Sequence, residues 1–190
     1  MATPRGYRMD ARAASTAATR DRILSSALAL STERLTIEIT LDDVAERAGV
    51  SVQTVLRHFG SRAGLLDATI AYGTVVIVAE REAPPGDVAD AVHVIVDHYE
   101  LRGDFVLRLL AQEDDPRIAG IVASGRAEHR AWVAAVFQPD ETTADLLAAA
   151  TDVYLWKLLR RDRGLDRATT EARMLRLVRA ILADRSEEAP

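Results

Sequence analysis

Gln53 and Arg57 stand four residues apart in the stretch TLDDVAERAGVSVQTVLRHFGSRAGLL, residues 40 to 66, with Val52 and Leu56 at the same spacing beside them. On a helix, residues four apart share a face. A glutamine amide offers one donor and one acceptor, an arginine offers a fork of donors, and the two aliphatic side chains offer only apolar contact. Such a face suits the major-groove edges of base pairs: glutamine can pair with adenine, arginine with guanine, and the aliphatic pair can touch thymine methyls.

Those four residues need a helix to carry them and a second helix to support it. Thr40 can cap the first, its hydroxyl accepting from the backbone N–H of Asp43, while Asp42 and Asp43 favour the positive helix start. The pattern then predicts helix to Ala48, with Val44 and Ala48 on the inner side and Ala45 small enough for a close helix crossing. Gly49 ends it, where a left-handed residue is easiest to hold. Ser51 caps the second helix, Val52 to Phe59, whose inner face is Val55 with Phe59. Two short helices around a tight glycine turn make a helix-turn-helix.

The whole chain sets the bounds. Its 190 residues fit one domain, or a small module joined to a larger one, with 48% apolar and 28% charged residues. It has no cysteine, which excludes disulfides and thiolate metal sites. The net charge of −5 divides unevenly. Residues 1 to 64 hold nine Arg against seven Asp or Glu, and by subtraction from 24 basic and 29 acidic the remainder holds fifteen against twenty-two, or +2 beside −7. The front end tolerates polyanions and the back end does not seek them. The longest uncharged run, residues 68 to 79, is shorter than the roughly 20 apolar residues that cross a bilayer. The start, MATPRGYRMDARAAST, lacks the apolar core of a signal peptide. A cytoplasmic protein with no membrane association is expected.

Stop signals at AGVS, APPGD, EDDP, FQPD and DRGLD cut the chain into helix-length pieces. Ile23, Leu24, Ala27, Leu28 and Leu30 form one apolar stripe, and Met174, Leu177, Val178, Ile181 and Leu182 another. An all-α fold of about nine helices follows. TVVIV, residues 74 to 78, is strand-like by composition. It has no partner strand to satisfy its backbone, so helix is expected there too. Residues 1–18 are expected as a flexible arm, 19–62 as the helix-turn-helix domain, 63–184 as a second helical domain and 185–190 as a tail.

The stretch resembles the N-terminal signature of the TetR family of bacterial transcriptional regulators. Ala48, Gly49, Val50, Ser51, Thr54, Val55, His58, Phe59, Ser61 and Leu65 match the family motif, and TRDRILSSALAL resembles the family's first helix, so the likeness covers about residues 19 to 67. Three features depart from it. Leu56 replaces the usual Tyr, Arg62 replaces the usual Lys, and LSTERLTIEI lacks the Gly and aromatic residues common in that connection. The resemblance implies a repressor that binds a palindromic double-stranded DNA operator as a homodimer, released by a small apolar or aromatic effector. Thr54, His58 and Arg62 would hold phosphates, and Val52, Gln53, Leu56 and Arg57 would face bases. Thr40 and Ser51, at the helix starts, complete the DNA-side set.

For the back end the resemblance implies dimerisation and a ligand cavity. The apolar stripes on Leu147, Thr151, Tyr154, Leu155 and Leu158, and on Met174, Leu177, Val178 and Ile181, are candidates for a four-helix dimer interface. Tyr99, Phe105, Leu109, Trp132, Phe137 and Tyr154 are candidates for a pocket lining. No enzyme is expected. His93 and His98, five apart, diverge by about 140° around a helix, so no metal site is expected, and no phosphate loop or nucleophile elbow implies a cofactor. The rival reading is a helical adaptor that keeps the fold and binds a protein in place of DNA.

Overall fold

The computed structural model describes residues 4–34 and 38–187. Among them all regular structure is helical, and the chain divides into two compact units, Met1–Val75 and Val76–Pro190.

Helix α1, Pro4–Glu33, starts on a proline whose fixed φ suits a first helical position. It runs through the segment expected to be a flexible arm. That segment is rich in Ala, Arg and Met, strong helix formers, so lack of a buried stripe did not prevent helix formation. The structure gives helix from Pro4 onward. Further along α1 the stripe Ile23, Leu24, Ala27, Leu28 and Leu30 is buried as its spacing implied. Helices α2, Leu41–Ala48, and α3, Val52–Phe59, complete the pair read from the sequence, and α4 spans Arg62–Glu80. TVVIV lies inside α4. Leu65 is buried with the α1–α3 core, and Ala68 and Tyr72 pack on it from the same helix. The first unit therefore reaches Val75, beyond the boundary at residue 62 expected from the motif. A Cβ at Gly73 would lie 3.2 Å from Leu28, so glycine lets α1 and α4 approach closely.

By length and composition α4 passes as a membrane span. Asp67 interrupts it, and Leu65, Thr69 and Gly73 are buried within the first unit.

The second unit is built on α5, Val88–Leu110, capped by Asp87, which accepts from Asp90 N at 3.0 Å. Around it lie α6, Pro116–Phe137, α7, Glu141–Ala150, α8, Val153–Lys157, a π-turn over Leu158–Asp162 and α9, Arg167–Glu187. Val92, Ile95, Val96 and Tyr99 from α5 meet Val133, Leu147, Trp156, Met174 and Val178 in one core. The Trp156 indole fills the space a side chain would take at Gly103, where a Cβ would come within 2.5 Å of the ring. Its N–H donates to Glu100 at 3.0 Å, and the Arg161 guanidinium covers its face at 4.5 Å while bonded to Asp104.

This packing corrects part of the interface expectation. Leu147, Thr151, Met174 and Val178 are fully buried inside their own unit, so they cannot meet a partner. Leu155 and Ile181 pack against the same core. Of that set only Tyr154, Leu158 and Leu177 are exposed, with Leu146 nearby in sequence. Apolar spacing marks a buried face without saying whether the chain itself or a copy buries it.

Gly103→Ala should therefore destabilise the protein by about 1–3 kcal/mol through overpacking against Trp156. Urea unfolding followed by tryptophan emission measures this; an unchanged midpoint would contradict the packing described.

Candidate nucleic-acid interface

The first unit uses its polar groups to fix α3 against α2. Thr40 and Asp43 form a reciprocal cap: Asp43 N–H donates to Thr40 Oγ1 at 3.1 Å, and Thr40 N–H donates to the Asp43 carboxylate at 2.8 Å. The Thr40 hydroxyl, donating to the same carboxylate at 2.6 Å, with the Thr40 N–H and the Arg34 guanidinium 3.1 Å away, holds the Asp43 carboxyl below the usual carboxylate range. At the other end of α2, Gly49 has φ 64°, and Val50 N–H closes the turn onto Ala45 O at 2.9 Å. Arg22 of α1 donates to Ala48 O at 2.8 Å, satisfying a carbonyl that the helix end leaves over.

Ser51 then caps α3, accepting from Thr54 N–H at 3.2 Å. Val55 is fully buried, which turns Gln53, Leu56 and Arg57 outward, all exposed. Val52 is half-buried and packs on the core, so of the four outward residues expected it is the one partly spent on the fold. Thr54 and His58 are half-buried. The Thr54 hydroxyl shares a 3.0 Å hydrogen bond with that of Ser51. Arg62 donates through Nε to Ile39 O at 2.9 Å, tying the start of α4 to the loop before α2. That tie is structural work the motif did not reveal. The face also gains a residue that periodicity passed over. Exposed Arg20 lies over the Phe59 ring, 5.3 Å from its centroid, which places a cation beside the end of α3. The signal was the basic TRDR start of the expected first helix.

The pocket candidates part company in the second unit. Tyr99 and Phe137 are buried, Phe105, Leu109 and Trp132 are half-buried, and Tyr154 is 54% exposed, which removes it from any interior lining. Tyr99 spends its hydroxyl on Thr151 O at 3.0 Å, and Trp132 donates to Arg81 O at 2.8 Å.

The same region holds charge that sequence periodicity did not mark. Glu80 accepts from Arg102 Nε and Nη2 at 2.7 and 2.5 Å and from His98 Nδ1 at 3.2 Å. Burial alone would raise the Glu80 carboxyl, but these bonds outweigh it and bring its pKa down to about 2. Burial drives the His98 imidazole the other way, to about 4, against the pull of Glu80. Arg81 Nη2 lies 2.9 Å from His98 Nε2, which must accept, so the neutral tautomer carries its proton on Nδ1 and donates to Glu80. Among the described residues no group of three or more His, Cys, Asp or Glu could hold a metal. His93 instead joins Asp97 and Glu171 in an exposed ion-pair network with Arg167.

Residues 23–69 match the model of bacterial regulatory proteins of the tetR family. Solved structures share the fold across nearly the whole chain. A tetR-family transcriptional regulator from Streptomyces coelicolor aligns with TM-score 0.63 at 18% identity, covering 90% of this chain and 91% of its own. A TetR transcriptional regulator from Nitrosomonas europaea aligns at 0.57 and 18% identity, covering 86% and 97%. The multidrug binding protein EbrR, solved with imidazole, aligns at 0.54 and 22%, covering 83% and 88%. No curated protein sequence matches the chain.

The buried pair makes stability fall on acidification. Unfolded, His98 takes a proton near pH 6.5 but folded only near 4, so stability declines as pH drops between those values. Unfolded Glu80 protonates near 4.5 and the folded group near 2, extending the loss over that lower interval. Urea midpoints measured from pH 7 to 4 should decline, and His98→Gln should flatten the decline between pH 6.5 and 4. An equally steep decline in that variant would rule out His98 as its source.

Proposed function

We propose that this chain is a DNA-binding transcriptional regulator, acting as a repressor that holds a palindromic operator as a homodimer and is released by a small effector. One observation carries the reading: within residues 23–69, which match the tetR-family model, α3 buries Val55 and presents Gln53, Leu56 and Arg57 to solvent. Gln53 and Arg57 read adenine and guanine, and Leu56 contacts a thymine methyl. Thr54, His58, Arg62 and Arg20 flank that face and hold backbone phosphates, with Ser51 and Thr40 fixing the helix starts. The match of fold to regulators from two bacteria supports the assignment.

A dimer suits this task because two recognition helices must lie about 34–36 Å apart to enter successive major grooves. Exposed Tyr154, Leu158 and Leu177 are the residues left for the contact once the buried stripes are set aside. Effector release is supported by the likeness to a protein that binds drugs, and Tyr99, Phe105, Leu109, Trp132 and Phe137 belong to the unit that would receive the molecule.

Mobility-shift titration with the DNA upstream of the chain's own gene tests the reading. A competitor-resistant shift is expected, with log K falling by about 0.9 per log unit of salt for each phosphate held. Arg57→Ala should lose roughly 1–3 kcal/mol of operator binding and relax base preference at one position. No shift even at low salt would favour a protein-binding adaptor instead. Leu158→Asp with Leu177→Asp should convert a sedimenting dimer to monomer; two species of unchanged mass would refute that interface.

A further inference from the structure

Six residues of the second unit form a closed circuit of contacts. Arg81 Nη2 meets His98 Nε2 at 2.9 Å, and the His98 and Tyr99 rings lie 5.5 Å apart. Tyr99 donates to Thr151 O at 3.0 Å, and Thr151 Oγ1 meets His129 Nε2 at 3.2 Å. The His129 ring stacks on Trp132 at 5.8 Å, and Trp132 donates back to Arg81 O at 2.8 Å. On this circuit two buried polar atoms, Arg81 Nε and His129 Nδ1, have no hydrogen-bond partner among the described residues.

Each atom specifies what it lacks. Glu80, the carboxylate next to Arg81 in sequence, is taken up by Arg102 and His98. Arg81 has no ion pair among the described residues, and burial of its head group opposes its charge. Glu80, Glu128 and Asp152 favour its charge but none is bonded to Nε, and a carboxylate would meet that donor in geometry and sign. At His129, Thr151 Oγ1 already donates to Leu147 O at 2.7 Å, so it accepts from Nε2. The proton of neutral His129 therefore sits on Nε2, and Nδ1 is an acceptor awaiting a donor. Burial keeps that imidazole neutral by lowering its pKa.

We infer that this circuit is an internal binding site for a small organic acid that also bears a hydroxyl, its carboxylate received by Arg81 and its hydroxyl donating to His129 Nδ1. Trp132 and Tyr99 supply aromatic walls. The site rests on the regulator reading for its role as effector site, and it replaces an apolar effector with an anionic one.

The three hydroxybenzoates are the probes, with the matching hydroxybenzyl alcohols as neutral counterparts. At least one hydroxybenzoate should raise the melting temperature saturably, by about 2–4 °C at roughly tenfold excess over its Kd, and the alcohols should not. Arg81→Met should abolish the rise. His129→Phe should erase the preference for hydroxybenzoate over benzoate. The inference is overturned by no rise with any of the three acids, or by an equal rise in Arg81→Met. Anisotropy with labelled operator DNA separates the two readings. Failure to bind DNA without any acid present removes the regulator and leaves acid binding standing, whereas DNA binding without acid binding removes only this site.

Discussion

Burial of Val55 is the constraint on which the first unit depends. An eight-residue helix has too little intrinsic stability to hold its own orientation. Anchoring Val55 in the core with Val44, Ala45 and Ala48 fixes its rotation, and rotation decides what it shows to the outside. The surrounding polar contacts serve the same end. Gly49 permits the sharp turn, Arg22 ties α1 to the carbonyl end of α2, and the two caps set where each helix begins. None of these groups belongs to the exposed face of α3, yet each helps determine where Gln53 and Arg57 point.

The second unit solves a different problem, that of charge inside an apolar core. Glu80, Arg102 and His98 balance one another, with the histidine tautomer dictated by an arginine on one side and a carboxylate on the other. Arg81 joins that balance through Nη2 on His98, while its Nε has no hydrogen-bond partner among the described residues. The contrast is informative because folds normally leave few buried polar atoms unpaired, and where they do, the gap deserves a chemical explanation. Beside the Thr170 hydroxyl, the unpaired atoms are one donor on a cation and one acceptor on a neutral ring, which together describe a guest more closely than either alone.

Much of the first unit was legible in the sequence because its determinants are local. Cap, glycine turn and inner face all lie within twenty residues, and Thr40, Gly49, Ser51 and Val55 take the roles their types imply. The helical form of residues 74 to 78 followed from the lack of a partner strand. The second unit resisted for the opposite reason. Whether Met174 or Leu177 meets the core depends on which side of α9 lies against α5, a fact set by contacts some eighty residues distant along the chain. Arg81 and His129 could not be picked out at all, since neither sits in a motif and their significance lies in partners they lack. The helical form of the residues after Pro4 follows from the helix preference of alanine and arginine, which a reading based on burial passed over.

Each unit closes its own apolar core, one around Val55 and the other around Trp156. The molecule therefore contains two potential blocks of cooperativity, and heating need not melt them together. Both tryptophans, Trp132 and Trp156, lie beyond residue 75. Indole emission consequently follows the second block alone, while the loss of the first block would register only in a backbone signal such as far-ultraviolet circular dichroism.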